Sequence, residues 1–418
     1  MMRLRVLWLG WIGLLLLLTA CGSAPAPEPT RGAFPTPADL PPRPRGEVIG
    51  VSNAAGLQPL AVLRTHPTTV NRIVFSPNSR RMITIDADGT AVYWDMDKYQ
   101  IIHTFGGEKL REVFFSADPT IVAGVSVTNM IFFASAEDGK VITSAPGNED
   151  GVYRAVINQA GTQLATGGVK GDIMIWDTAQ YVRIALIPAT APGNVRALSY
   201  SPDGQMLASI HNTAESLGTD TIRIWSIPEG KQRYLLHGWT PGLAQKLVFS
   251  PDNARFAVGL ASPPNHDLDK PFTGIQIHDA ATGTLLFAVN ESGLGADQGL
   301  TFSPNGGFLA STGQASVVFV VDQEGKVIAK LPGHAQGTSW VGFSPNGELL
   351  LTTAIRQKSS IYLWRTDGFK GSSQDFQRGV IAPENNGVLL GAWSPDGKLI
   401  VLADGSGALL IWGIPGAV

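Results

Sequence analysis

The residues of this 418-residue chain that chemistry can use are few: seven histidines, one cysteine and a scattering of acids. His211, His237, His266 and Asp267 come nearest to a metal set, since imidazole and carboxylate are zinc ligands. They stand too far apart for a His-x-x-His grip and have no cysteine pair beside them, so three separate loops would have to converge. Asp86-Ala87-Asp88-Gly89 opens like a calcium loop, but Trp94 and Asp95 follow where a bidentate glutamate is needed. It reads better as a turn between two strands. There is no Gly-x-Ser-x-Gly elbow, no phosphate loop and no His-Glu-x-x-His. The only cysteine is Cys21, near the N-terminus, so the body of the chain has neither a thiol nucleophile nor a disulfide. The expectation is a non-enzyme that needs no metal and no cofactor.

The first residues carry a different kind of chemistry. Arg3 and Arg5 precede an apolar run, Val6 to Leu18, broken only by Gly10 and Gly13. A run of this length is too short for an ordinary span, which needs about 20 residues, and the layout is that of a secretory signal. Leu18-Thr19-Ala20-Cys21 resembles a lipobox, the site at which bacterial lipoprotein precursors are lipidated on cysteine and cut before it. The resemblance implies a signal peptide over 1–20, a lipidated Cys21, and attachment to the outer face of the cytoplasmic membrane or to an outer membrane. Acyl chains contribute roughly 0.8 kcal/mol per buried CH₂. Residues 22–46 hold eight prolines in twenty-five positions, a composition that builds no core. The segment 21–46 is therefore expected to be a tether, with one folded domain over 47–418.

That remainder has 48 glycines and 28 prolines in the whole chain to draw on and only 16% charged residues, which points to many turns and short strands. Loss of residues 1–20 removes two arginines and no acid, taking the formal charge from −3 to −5. Basic residues form no dense run; Arg43 with Arg45, and Arg80 with Arg81, are the closest pairs. A nucleic-acid partner, which needs a basic footprint, is not expected.

The elements that must position everything else announce themselves by repetition. An apolar pair, then Ser-Pro-Asp/Asn-Gly, then an apolar run recurs at Phe75-Ser76, Tyr200-Ser201, Phe249-Ser250, Phe302-Ser303, Phe343-Ser344 and Trp393-Ser394, with weaker copies at Phe115-Ser116 and Ile157-Asn158. Successive copies lie 40 to 53 residues apart. Proline pre-sets φ for the turn and Asp/Asn-Gly supplies its polar and positive-φ positions. A small apolar strand follows, then an alternating strand that often ends in tryptophan, as in Ala91-Val92-Tyr93-Trp94-Asp95 and Ile173-Met174-Ile175-Trp176-Asp177. A fourth strand comes after a glycine turn.

Four strands per repeat ending in Trp-Asp resembles the WD40 repeat over about residues 56–418. The resemblance implies an all-β fold, a single closed β-propeller of four-stranded antiparallel blades. Eight blades are expected; seven would require the copy at Phe115 to be something else. Ala55 to Leu63 matches the fourth-strand pattern, and only six residues follow Trp412, so the N-terminal strand is expected to complete the last blade. The family's buried His–Ser/Thr–Asp–Trp network maps onto His66, Thr84, Asp88 and Trp94 in the first blade.

In such a ring the loops before the first strand and between the second and third emerge on one face. Extra residues fall there, at 211–218 and 262–272, with His237 to Pro241 between them in sequence. Scaffold-held loops carry function and aromatics anchor interfaces, so the expected partner site is His211, His237, Trp239, His266, Asp267 and Phe272. The expected function is a membrane-anchored, extracytoplasmic scaffold that binds a protein or peptide. Small-molecule or glycan binding in the channel is the alternative, and a hydrolase or lyase the third reading.

Overall fold

The computed structural model describes residues 46–189, 193–212, 220–239, 244–261, 271–294, 299–312, 317–332, 337–354, 361–369, 377–381 and 388–415. The signal segment, Cys21 and nearly all of the tether lie outside these residues.

Each repeat folds as a four-stranded antiparallel sheet, and there are eight of them. The weak copies are no exception: Leu110–Phe115 starts one sheet and Val152–Ile157 the next. The chain is an eight-bladed propeller. Seven blades take their strands in sequence order. The first strand of each blade touches the first strands of its neighbours, so these strands form the inner ring around the central channel. Numbered along the chain, the inner strands of blades 1 to 8 are Val70–Phe75, Leu110–Phe115, Val152–Ile157, Asn194–Tyr200, Ala244–Phe249, Leu300–Phe302, Thr338–Phe343 and Val388–Trp393.

Blade 8 is closed from the other end of the chain. Gln58–Arg64 pairs antiparallel with Ala408–Gly413, from Gln58 opposite Gly413 to Arg64 opposite Ala408. The preceding residues fasten this strand further. Ile49, fully buried, donates its N–H to the Gly397 carbonyl at 2.9 Å, and Asn346 donates to the Ile49 carbonyl at 3.3 Å. Residues around Ile49 therefore lie across the inner turns of blades 7 and 8.

The repeated serine explains why the motif recurs. In blade 8, Ser394 Oγ accepts the Leu399 N–H at 2.9 Å and donates to Asp396 Oδ1 at 2.6 Å. Gly397 takes φ = 69°, a conformation that costs glycine least. Serines 76, 201, 250, 303, 344 and 394 are all buried in this way. At the weak copy in blade 3, Asn158 Oδ1 accepts the N–H groups of Thr162 and Gln163 instead, so an amide does the work of the hydroxyl. The second strands, such as Gln163–Gly168, are small and apolar because they are buried on both faces between neighbouring blades.

Replacing Ser201 by Ala leaves the Met206 N–H without its side-chain acceptor. Its removal should cost about 1–3 kcal/mol, read as a lower urea midpoint. Deleting residues 47–64 exposes both the Ala408–Gly413 edge and the inner turns of blades 7 and 8. That variant should unfold at lower temperature and in a broader transition by calorimetry.

Candidate functional site

The buried network of blade 1 runs through Asp86, not Asp88. Trp94 Nε1–H donates to Thr84 Oγ1 at 2.9 Å, and Thr84 meets His66 Nε2 at 2.7 Å. His66 Nδ1 lies 3.2 Å from Asp86 Oδ2. A neutral imidazole with its proton on Nδ1 satisfies every member: indole to hydroxyl, hydroxyl to Nε2, Nδ1–H to carboxylate. Asp86 and Thr84 are two apart on one strand and share a face, whereas Asp88 sits in the turn beyond it. Asp86 Oδ1 also accepts the Asp88 and Thr90 N–H groups, so this carboxylate builds that turn as well. Burial lowers the His66 pKa, and Asp86 partly offsets the shift.

His211 is corrected in the same way. It lies not on a surface loop but on the second strand of blade 4, 3% exposed, with Nε2 2.8 Å from Ser209 Oγ. Ser209 accepts from Trp225 Nε1 at 2.8 Å. The position two residues after the hydroxyl holds aspartate in blade 1 and histidine in blade 4. Burial, helped by Arg223, pushes the His211 pKa down to about 3. The tryptophan–hydroxyl bond recurs as Trp176 to Thr166 and Trp364 to Thr352.

The remaining expected partner residues are spread along blades 4 and 5. His237 is exposed on the outer strand of blade 4, opposite Thr221. The Trp239 backbone pairs with Asp220, and the Phe272 backbone pairs with Glu291; their side chains, with His266 and Asp267, lie outside the described residues. The strand ends at Asn212, Asp220, Trp239, Ala244, Leu260 and Pro271 all fall at one end of their blades, the end where inner strands begin. Among the described residues no three histidines, cysteines or acids gather as metal ligands would.

Sequence reading missed one charged feature of that end of the ring. Inner strands of five consecutive blades carry Arg72, Arg111, Arg154, Arg196 and Lys246 near their starts. They are linked blade to blade. Arg72 Nε donates to Glu112 at 2.7 Å, Arg111 to the Val152 carbonyl, Arg154 Nε to the Arg196 carbonyl at 3.0 Å, and Arg196 Nε to Gln245 Oε1 at 2.9 Å. Glu112 is the only acid on the five strands. Burial lowers the Lys246 pKa, and so do Arg154, Arg72 and Arg196. Arg72 stands on blade 1, diametrically opposite blade 5, and acts on Lys246 together with Arg154 and Arg196, so these four side chains converge across the channel. A cleft of about 440 Å³ opens beside them between blades 1 and 2, lined in part by Asn71, Arg72, Asp88, Lys109 and Arg111.

The inner strands of blades 6, 7 and 8 hold no charged residue. There the Trp340 indole lies over Gly342 and Gly391, where an added Cβ would come within 2.3 Å and 2.8 Å of it. Trp393 Nε1 donates to the Gly342 carbonyl at 3.2 Å.

Residues 57–95, 139–177 and 325–365 match the family "WD domain, G-beta repeat". The chain carries WD40 repeats. Each match takes the outer strand of one blade and three strands of the next, and the three contain the Trp94–Thr84, Trp176–Thr166 and Trp364–Thr352 bonds. Telomerase protein component 1 of Rattus norvegicus is 24% identical over 203 residues, covering 43% of this chain and 8% of that protein. WD repeat-containing protein 26 homolog of Drosophila melanogaster is 21% identical over 304 residues, covering 69% of this chain and 45% of its own length. The chain thus spans less than half of either relative. Among solved structures, the Dos1 propeller superposes with TM-score 0.69 at 10% identity, over 87% of this chain and 97% of that one. Chaetomium thermophilum Sqt1, bound to the N-terminus of ribosomal protein L10, gives 0.67 at 16%, over 84% and 98%. These two likenesses are of fold.

His66, His211 and His278 are all buried with lowered pKa values, so the unfolded chain takes up their protons first as pH falls below 6.5. Their stabilising contribution is complete above that pH and is lost as pH drops toward the folded values, about 3 for His211. The urea midpoint should fall steadily between about pH 6.5 and 5, above the usual carboxylate range. His211→Gln should flatten part of that slope.

Proposed function

We propose that this chain is a non-catalytic interaction platform, exported and held at a membrane through lipid on Cys21, that binds a protein or peptide across its loop-bearing face. The observation that carries this reading is the arc of cations at the channel mouth, on the end of the ring where the connections after Asn212 and Leu260 emerge. A rigid closed ring holds such a mouth and its loops in fixed relation. Sqt1, a structural neighbour, binds the end of a ribosomal protein, which is a precedent on the same fold.

The anchor rests on Arg3, Arg5, the apolar run and Leu18-Thr19-Ala20-Cys21. Its direction is consistent with the platform. Ile49 bonds to the inner turns of blades 7 and 8, so the first described residues lie at the end of the ring opposite the loop-bearing one. A second reading, a small molecule or glycan in the channel, is favoured by one observation: the flat indole of Trp340, partly buried on an inner strand.

A pull-down from membranes solubilised in mild detergent tests the platform. Wild type should capture a partner that both Trp239→Ala and a deletion of 263–271 lose. Capture unchanged in both variants would move the site off this face, and no partner at all would sink the reading.

A further inference from the structure

The cation arc is more specific than a basic surface. Two of its guanidinium groups are already oriented by protein acceptors. Arg154 gives Nε to the Arg196 carbonyl and Nη1 to the Tyr153 carbonyl at 3.3 Å, and its guanidinium stands 5.0 Å from the Tyr153 ring. Arg196 gives Nε and Nη2 to Gln245 Oε1. These groups are held in place before any ligand arrives. Lys246 is next in sequence to Gln245 and next in the ring to Arg196, and it forms no ion pair among the described residues. The charged groups acting on it are Arg154, Arg72 and Arg196, all cations. Among the described residues only Arg72 has a carboxylate, Glu112, whose side chain is 9% exposed and is used up by that pair.

Three like charges converging on a channel, with no acid of their own among the described residues, are repulsive, and an incoming anion relieves that repulsion. Arginine forks suit a planar oxyanion, and a lysine beside them adds a movable point charge. Across the channel the wall changes character. At the level of the cations, the third residues of the uncharged inner strands of blades 7 and 8 are Trp340 and Leu390, each partly buried. An anion with nothing attached would leave this half of the mouth unused.

We infer that the loop-face mouth of the channel binds a carboxylate carried on an apolar body, with Lys246, Arg154 and Arg196 taking the charge and Trp340 taking the body. This rests on the interaction reading and names what that face recognises. The carboxylate has two sources, an acidic residue of a partner's peptide segment or a free small acid. Both present the same group to the same three cations.

The test uses the full chain in mild detergent at constant ionic strength, followed by thermal unfolding and titration calorimetry. The probes are 3-phenylpropionate, its neutral amide, and the acetylated, amidated tetrapeptide Phe-Asp-Phe-Asp. Phenylpropionate should raise the unfolding temperature and the amide should not, since only a ligand of the folded state stabilises it. Lys246→Met should weaken phenylpropionate at least tenfold and should unfold at higher temperature than wild type in the absence of probe. Should that variant fold poorly, Arg154→Gln should show the same loss of binding. Tetrapeptide binding tenfold tighter than phenylpropionate supports the site with a partner's acidic segment as source. Equal or weaker binding supports it with a free acid as source. Acid and amide acting alike, or Lys246→Met and Arg154→Gln both binding as wild type, overturns the inference. Partner capture that survives Lys246→Met in a protein with no carboxylate binding overturns this inference alone. Carboxylate binding without any captured partner overturns the platform alone.

Discussion

Everything in this molecule depends on closing the ring with a strand from the wrong end of the chain. A sheet edge left open exposes a row of unpaired N–H and C=O groups, and radial blades protect their edges only when the circle is complete. Gln58–Arg64 meets that requirement against Ala408–Gly413. Because each repeat contacts only its neighbours, stability is otherwise a sum of local terms. Closure turns that open series into a circle in which blade 1 faces blade 5 across a fixed gap. Side chains from blades four repeats apart can then act on one another, as Arg72 does on Lys246.

Within each blade the buried polar groups are few, and the recurring ones are paired. The serine turns and the tryptophan–hydroxyl bonds place hydroxyls inside the sheet stack, where an unpaired donor would cost about 1–3 kcal/mol. Histidine enters the same scheme in its neutral form. In blade 1 it bridges hydroxyl and carboxylate from the preceding loop, and in blade 4 it comes from the strand itself. The two arrangements give similar packing from different residues, which is why the repeat tolerates so much divergence.

The channel obeys a different rule. Its inner strands bring together cations that repel, at an effective dielectric near 20 by about 3 kcal/mol for a pair roughly 6 Å apart. A structural role alone would be served by apolar side chains, as the inner strands of blades 6 to 8 demonstrate. The asymmetry between five charged strands and three uncharged ones divides the mouth into a polar half and an aromatic half.

The sequence by itself determined the eight repeats, their turns, the order of their strands and the closing strand, because each depends on local pattern: a serine-proline turn, an alternating strand, a glycine break. The weak copies at Phe115 and Ile157 were readable for the same reason, since spacing survived where residues changed. Tertiary structure decided the rest. Whether Asp86 or Asp88 reaches His66 depends on where the strand ends and the turn begins. The insertion motif at His211 hid two more residues of strand, which carry the imidazole inward. The cation arc was invisible because Arg72, Arg111, Arg154, Arg196 and Lys246 stand some forty residues apart and form no run along the chain. They come together only where the inner strands of a closed ring face one channel, since electrostatic interaction follows distance in space rather than separation in sequence.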